Sequence, residues 1–355
     1  MESRPIIWKG RGATGNPQGR FERDERVVDE GAYWETPERP PETQVTLRQA
    51  RSIIARNDSP DIPFSQSINP YQGCEHGCIY CYARPSHSYL GLSPGLDFET
   101  RLYAKENAAD LLRQELSRPG YRCDVIVIGG NTDPYQPVER ELRITRSILE
   151  VCAEFNQPVG IITKSALIER DLDLLAPMAA KGLARAFVSV TTLDAELARK
   201  LEPRAAAPYR RIRALRTLTE AGVPTGVMVA PIIPFLNDKD LEAILDAARD
   251  AGVTQAGYVL LRLPHEVKDI FQAWLTEHYP LRADHIMARV RDMRGGKEYD
   301  SAWRERQTGS GIYAELLRQR FDQTCRRLGI NRGAMAGLVT TRFKVPGSAE
   351  QLGLF

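Results

Sequence analysis

The stretch CDVIVIGGNTDPYQPVERELRITRSILEVCAEFNQPVGIITK, residues 123–164, reads as a strand, a helix and a second strand. Residues 123–130 are apolar and β-branched and end in two glycines, the pattern of a strand buried on both faces. Residues 143–155 then place Ile144, Ile148, Cys152 and Phe155 on one helical face, and residues 158–164 return to β-branched character.

The same alternation continues downstream. RAFVSVTT (185–192), PTGVMVAPII (224–233) and GYVLLRL (257–263) read as strands. Residues 107–116, 171–181, 210–221 and 238–251 are amphipathic at helical spacing, and several end near Gly. With one strand just before Cys74, this makes about six βα units, so the class is α/β and the expected core is a partial (β/α)6 TIM-like barrel over residues 61–280. An open doubly wound sheet has the same periodicity and remains an alternative from sequence alone.

The flanks differ from this core. Residues 1–60 are rich in Gly and Pro, balance ten Lys/Arg against ten Asp/Glu, and read as an extended or disordered N-terminal segment. Only residues 46–56 have a helical pattern. Gly10, Gly12 and Gly15 spell GxGxxG, but no strand precedes them and no helix follows, so dinucleotide binding is not expected. Residues 281–345 read as a helical C-terminal extension broken at Arg294-Gly-Gly-Lys297, and residues 346–355 as a tail. Residues 286–345 carry 13 Lys/Arg against 6 Asp/Glu, which suits an anionic partner or a solvated basic face.

At 355 residues, 42% hydrophobic and 26% charged, the chain suits one sizeable domain with appendages. The net charge of +2 is uninformative. No apolar run approaches the roughly 20 residues of a membrane span, and the first residues lack the apolar core of a secretory signal, so a cytoplasmic protein without a membrane partner is expected. Six cysteines are too few for a disulfide scaffold.

Three of those cysteines form the run Cys74-Glu-His-Gly-Cys78-Ile-Tyr-Cys81. The spacing CxxxCxxC lets three thiolates take three irons of a cubane and leaves the fourth iron open. A structural zinc site wants four ligands; His76 could complete one, but no matching second half follows downstream.

With its aromatic residue Tyr80, the run resembles the signature of the radical S-adenosylmethionine superfamily, and the resemblance extends over roughly residues 65–265. It implies a [4Fe–4S] cluster on Cys74, Cys78 and Cys81, S-adenosylmethionine on the open iron, reductive cleavage to methionine and a 5′-deoxyadenosyl radical, and a reductant such as flavodoxin or ferredoxin. It also implies Tyr80 against the adenine, and Gly129, Gly130 and Asn131 around the methionyl amino group. Asn131 stands where an acidic residue is usual, and the nearby Asp133 could substitute. Lys164 would pair with the cofactor carboxylate, and Ser189 or Thr191 would bond the ribose or carboxylate. Tyr82, Asp133 and Tyr135 are the candidate catalytic residues, with Glu139 beside Tyr82 and Tyr135 as a further group facing the substrate. Each also has a plain structural reading as a turn residue, helix cap or packed aromatic.

Within the superfamily, CIYCYA, TDPYQPVE (132–139), LEPR (201–204) and APIIPFLND (230–238) resemble a group of uncharacterised proteins related to spore photoproduct lyase, a DNA repair enzyme. No residue matches the cysteine that quenches a substrate radical in that enzyme; Cys123 and Cys152 read as core, so thymine-dimer reversal is not expected. The chain ends in QLGLF, from Gln351 to Phe355, which resembles the peptide that docks repair proteins on the bacterial sliding clamp. Arg204, Arg210, Arg211, Arg213 and Arg216 form a basic stretch that could meet phosphates. The expected substrate is therefore nucleic acid, with DNA and the sliding clamp as partners. Radical modification of a protein or small metabolite, and a non-catalytic iron–sulfur electron carrier, are the alternatives.

Overall fold

The computed structural model describes residues 8–22, 41–303, 305–333 and 337–347. Its strands are β1 (Gln44–Arg48), β2 (Ala55–Arg56), β3 (Gln66–Ile68), β4 (Tyr71–Gln72), β5 (Arg101–Lys105), β6 (Ile126–Ile128), β7 (Val159–Thr163), β8 (Ala184–Ser189), β9 (Thr225–Ile232) and β10 (Gln255–Leu260).

Strands β3, β6, β7, β8, β9 and β10 pair side by side in chain order, and every one of these pairings is parallel. A doubly wound sheet reverses its strand order at a switch point. This sheet does not, so successive crossovers of one hand bring the helices to one face and the sheet curls. β2 adds antiparallel to the outer edge of β3, and among the described residues β10 pairs only with β9, which leaves the barrel open at one seam. The architecture is the partial (β/α)6 barrel, and the doubly wound alternative falls.

Physical reasons for the strands and helices are those read from the sequence. β6 and β7 are buried on both faces, as in parallel sheets covered by helices. Helix Ile144–Phe155 turns Ile148, Leu149, Cys152 and Phe155 inward, where they join Ile126, Ile128, Val159 and Ile161 in one core. It stops at Asn156, whose left-handed φ of 50° lets its N–H reach back to the carbonyls of Cys152 and Ala153.

Two expectations about the N-terminal part need correction. Residues 46–56 contain no helix: β1 pairs in parallel with β5, from Gln44 opposite Arg101 to Arg48 opposite Lys105. Tertiary pairing overrides a weak local helical pattern here. Residues 8–22, read as extended or disordered, do lack helix and strand, but they are packed onto the barrel and bury Arg11 and Ala13.

Helix Val267–His278 closes the core; residues 281–345 then carry helices Ala283–Asp292, Glu305–Thr308 and Gly311–Leu328, the first ending before a turn where Gly295 and Gly296 have φ of 62° and 87°. Arg320 and Arg327 tie the last helix to Glu242 and Asp246 at 2.7 and 2.9 Å. Arg306 pairs with Asp61, and Gln307 donates to the Asp61 carbonyl at 3.2 Å, which links the β10 side to the β2–β3 turn across the seam. Among the described residues no helix is long and apolar enough to cross a membrane.

Candidate active site

The cysteine loop leaves β4 and lies over the C-terminal ends of the parallel strands, the end at which barrel sites assemble. Gly73 and Gly77, with φ of 80° and 66°, turn the chain so that Cys74 and Cys78 point inward. Both are buried, and Cys81 is half-buried. The loop is held from several sides: Cys74 N–H donates to Phe98 at 2.9 Å, Ile79 N–H to Leu201 at 3.0 Å and Arg84 Nε to the Cys78 carbonyl at 3.0 Å.

Burial pushes all three thiols above their ordinary value. Asp133 and the other two cysteines add to the effect at Cys74, and Glu202 adds to it at Cys78. Without a cationic partner the three sulfurs are therefore held as neutral thiols. Among the described residues no group of three or more His, Cys, Asp or Glu is close enough to hold a single metal ion.

The N-terminal segment presses on this loop. Gly12 and Ala13 donate their N–H groups to the buried Glu99 carboxylate at 2.9 and 2.8 Å, and Arg84 pairs with the same group at 2.5 Å. A Cβ on Gly12 would lie 1.8 Å from the Gly77 carbonyl oxygen. Gly12 of GRGATG thus serves close backbone packing against the cysteine loop, whereas Gly10 and Gly15 face open space.

β6 ends at Gly129, where φ of 93° and a Cβ position 2.2 Å from the Ile162 carbonyl leave room only for glycine. The Gly130 carbonyl accepts a hydrogen bond from the Tyr82 hydroxyl. Asn69 holds the next turn, its side-chain oxygen accepting from Asn131 N–H at 2.9 Å and Thr132 N–H at 3.3 Å. The Asn131 side chain is exposed. Asp133 accepts from Thr163 Oγ1 and Lys164 N–H, both at 2.7 Å, and from Tyr135 N–H at 2.9 Å, with His76 Nδ1 at 3.4 Å. Burial opposes its charge, but these partners prevail and hold the carboxyl down at about 2. Asp133 therefore locks the glycine turn to the end of β7.

Lys164 carries its ammonium 5.9 Å from the centre of the Tyr80 ring, and its charge acts on both Glu202 and Cys78. Among the described residues that ammonium makes no hydrogen bond or ion pair. The Tyr80 hydroxyl bonds to Glu202, Thr191 Oγ1 donates to the same carboxylate at 2.6 Å, and Arg211 pairs with its other oxygen. Arg211 also donates to the Ser189 carbonyl at 3.1 Å. Thr191 is thus engaged inside the protein, whereas the buried Ser189 hydroxyl forms no hydrogen bond among the described residues. Asn237 completes this wall, donating to the Thr191 carbonyl at 2.7 Å and accepting from Ile233 N–H at 2.6 Å.

The three candidate catalytic residues part company. Tyr82 is 44% exposed at the barrel mouth. Asp133 is buried in the lock just described. Tyr135 is buried beside a rim cleft of about 450 Å³ lined also by His76, Arg170, Arg204 and Arg210. Glu139 does not face that cleft: it accepts from Tyr71, from Thr145 N–H at 3.0 Å and from Arg170 at 2.8 Å, at the start of helix Ile144–Phe155. Three arginines of the basic stretch are engaged in ion pairs, Arg204 with Glu75, Arg210 with Glu169 and the buried Arg211 with Glu202, while Arg213 and Arg216 are exposed.

Sequence reasoning missed Asn69, Asn237 and the Glu202–Arg211 pair. Glu202 had one signal, its place in LEPR. The Gln351 to Phe355 peptide lies outside the described residues.

Comparison with known proteins places the chain in a family and the fold beside solved structures. The Radical SAM superfamily model matches residues 68–248. An uncharacterized protein of Mycobacterium tuberculosis is 34% identical over 267 residues, covering 74% of this chain and 77% of its own length. An uncharacterized protein of Acidianus two-tailed virus is 29% identical over 246 residues, covering 66% and 78%. Among solved structures, spore photoproduct lyase complexed with dinucleoside spore photoproduct shares the fold with a TM-score of 0.53 at 16% identity, over 81% of this chain and 80% of that one.

Proposed function

Because the chain belongs to the Radical SAM superfamily, we propose that Cys74, Cys78 and Cys81 hold a [4Fe–4S] cluster and that the protein cleaves S-adenosylmethionine reductively to modify nucleic acid. When bound, cluster and cofactor together supply a 5′-deoxyadenosyl radical that takes a hydrogen atom from the substrate. The observation that carries the reading is the Lys164 ammonium beside Tyr80 of the cysteine loop, which among the described residues makes no hydrogen bond or ion pair. A cation kept without a carboxylate partner there is suited to the cofactor carboxylate.

The remaining residues have defined tasks in this reading. Gly129 and Gly130 bring backbone close to the methionyl amino group, and Asn131 or the Asn69-held turn flanks it. Tyr80, fixed through Glu202, sets one wall for the adenine, and the Ser189 hydroxyl is available to the ribose. Asp133 acts by position, fixing the glycine turn and the Lys164 backbone together. Apolar side chains around the loop, among them Ile79, Leu261 and Leu263, keep water from the reacting carbon.

Nucleic acid is the substrate class supported best. The fold is shared with a lyase whose complex holds a dinucleoside photoproduct, residues 286–345 are basic, and QLGLF resembles a sliding-clamp peptide. Thymine-dimer reversal is not part of the proposal, because Cys152 is buried in the core and Cys123 precedes β6 at the far end of the barrel. A flavodoxin or ferredoxin is the proposed reductant. The test of substrate class is affinity for a DNA oligonucleotide against salt, together with mass analysis of that DNA after turnover. Binding that weakens steeply with salt and a mass change that requires S-adenosylmethionine support it; salt-independent or absent binding with unaltered DNA overturns it.

A further inference from the structure

Beyond Leu260, the last residue of β10, Leu261 is buried and Arg262 emerges half-buried at the barrel mouth. Its guanidinium carbon lies 5.0 Å from the centre of the Tyr82 ring. Its Nε is shut off from solvent and has no hydrogen-bond partner, and among the described residues no carboxylate pairs with Arg262.

Another arginine feels its field. Arg294 is buried, donates to the carbonyls of Leu261 and Glu305 at 2.8 and 2.6 Å, and feels the positive charge of Arg262. Asp300 and Glu305 offset part of that field at Arg294 without pairing with Arg262. By contrast, Arg204, Arg210 and Arg211 are each matched to a carboxylate. A half-dry guanidinium left without an anion is costly unless an anion arrives to fill it, and its planar fork matches an oxyanion with two oxygens. Tyr82 fixes where that anion would sit. It follows Cys81 directly, and its hydroxyl is held by the Gly130 carbonyl, so its ring has a set position relative to the cysteine loop.

We propose that Arg262 binds a phosphodiester of the substrate strand and thereby seats the adjoining nucleoside against Tyr82. The inference deepens the radical reading by naming the group that the substrate must carry. It differs from the role given to Lys164, which serves the cofactor.

The test uses the cluster-loaded protein with S-adenosylmethionine, in three forms: wild type, Arg262→Gln and Arg262→Lys. Inorganic phosphate, the dinucleoside monophosphate TpT and thymidine are titrated by calorimetry, and the affinity for S-adenosylmethionine is measured separately; thermal unfolding checks that the variants fold. The expected result is that TpT and phosphate bind the wild type, at least tenfold more weakly with Arg262→Gln, with partial recovery in Arg262→Lys. Thymidine and S-adenosylmethionine should be unaffected. Equal affinity of TpT for wild type and Arg262→Gln, or no binding of TpT or phosphate to the wild type, overturns the proposal. So does a loss of S-adenosylmethionine affinity in Arg262→Gln, which would make Arg262 a cofactor contact. If TpT binding depends on Arg262 while the protein forms no 5′-deoxyadenosine, the radical reading falls and the anion site stands; the reverse pattern removes only the anion site.

Discussion

Gly12 meets Gly77 so closely that a methyl group on the first would lie 1.8 Å from the carbonyl oxygen of the second. The contact joins a segment far from the barrel in sequence to the middle of the cysteine loop. It gives the N-terminal strap a physical task, covering the loop whose thiols are to carry the cluster.

Gly12→Ala should therefore lift the strap, because neither the Gly77 backbone nor the Glu99 anchor can move cheaply. The expected cost is about 1–3 kcal/mol of stability, the usual range for overpacking. The same variant should lose its cluster faster in air. Denaturant unfolding and the decay of the cluster's visible absorbance measure the two effects.

Arg211→Ala removes the ion-pair partner of a fully buried carboxylate, Glu202. Breaking one side of a buried pair typically costs about 3–5 kcal/mol. Burial opposes the Glu202 charge, yet Arg211 and Lys164 outweigh it and hold the group at about 2, below its ordinary 4.5. A carboxyl depressed by folding stabilises above its unfolded value and loses that contribution as pH falls from 4.5 towards 2. The stability of the wild type should fall over that window, and the Arg211→Ala variant should show a shallower dependence.

Lys164→Met should leave the cluster intact and weaken S-adenosylmethionine binding about tenfold to a hundredfold, the loss of one charge-assisted contact worth about 1.5–3 kcal/mol. Iron content and calorimetric titration of the cofactor separate the two effects. Unchanged affinity would remove Lys164 from the cofactor site.

Asn69→Ala should free the Asn131 and Thr132 amides without touching the cysteines. Faster hydrogen exchange at those two residues is expected, with about 1–3 kcal/mol of lost stability for the donors left unsatisfied. Protection equal to wild type would show that the turn holds itself.

The barrel was legible because its strands are continuous β-branched runs and its helices keep one apolar face, both imposed by burial between layers; β6, β7 and helix Ile144–Phe155 fall within the stretches read for them. β1 was not, since five exposed residues acquire their conformation from pairing with β5. The same limit holds for the site. Cysteine spacing marks a loop, but Tyr82 and Tyr135 look alike in sequence, and only the fold turns one to the mouth and the other to the rim cleft. Arg211 read as one of five surface arginines, because its partner Glu202 lies on the preceding turn of chain and not at a helical interval. Arg262 stood at the end of an apolar run, and its lack of a partner became visible only in three dimensions.

The most direct test of the central claim is anaerobic. The protein is loaded with iron and sulfide, reduced with dithionite and given S-adenosylmethionine, and 5′-deoxyadenosine is measured beside a Cys78→Ala control. The account predicts 5′-deoxyadenosine from the wild type and none from the control. A wild-type protein that builds its cluster yet neither binds nor cleaves S-adenosylmethionine would contradict it.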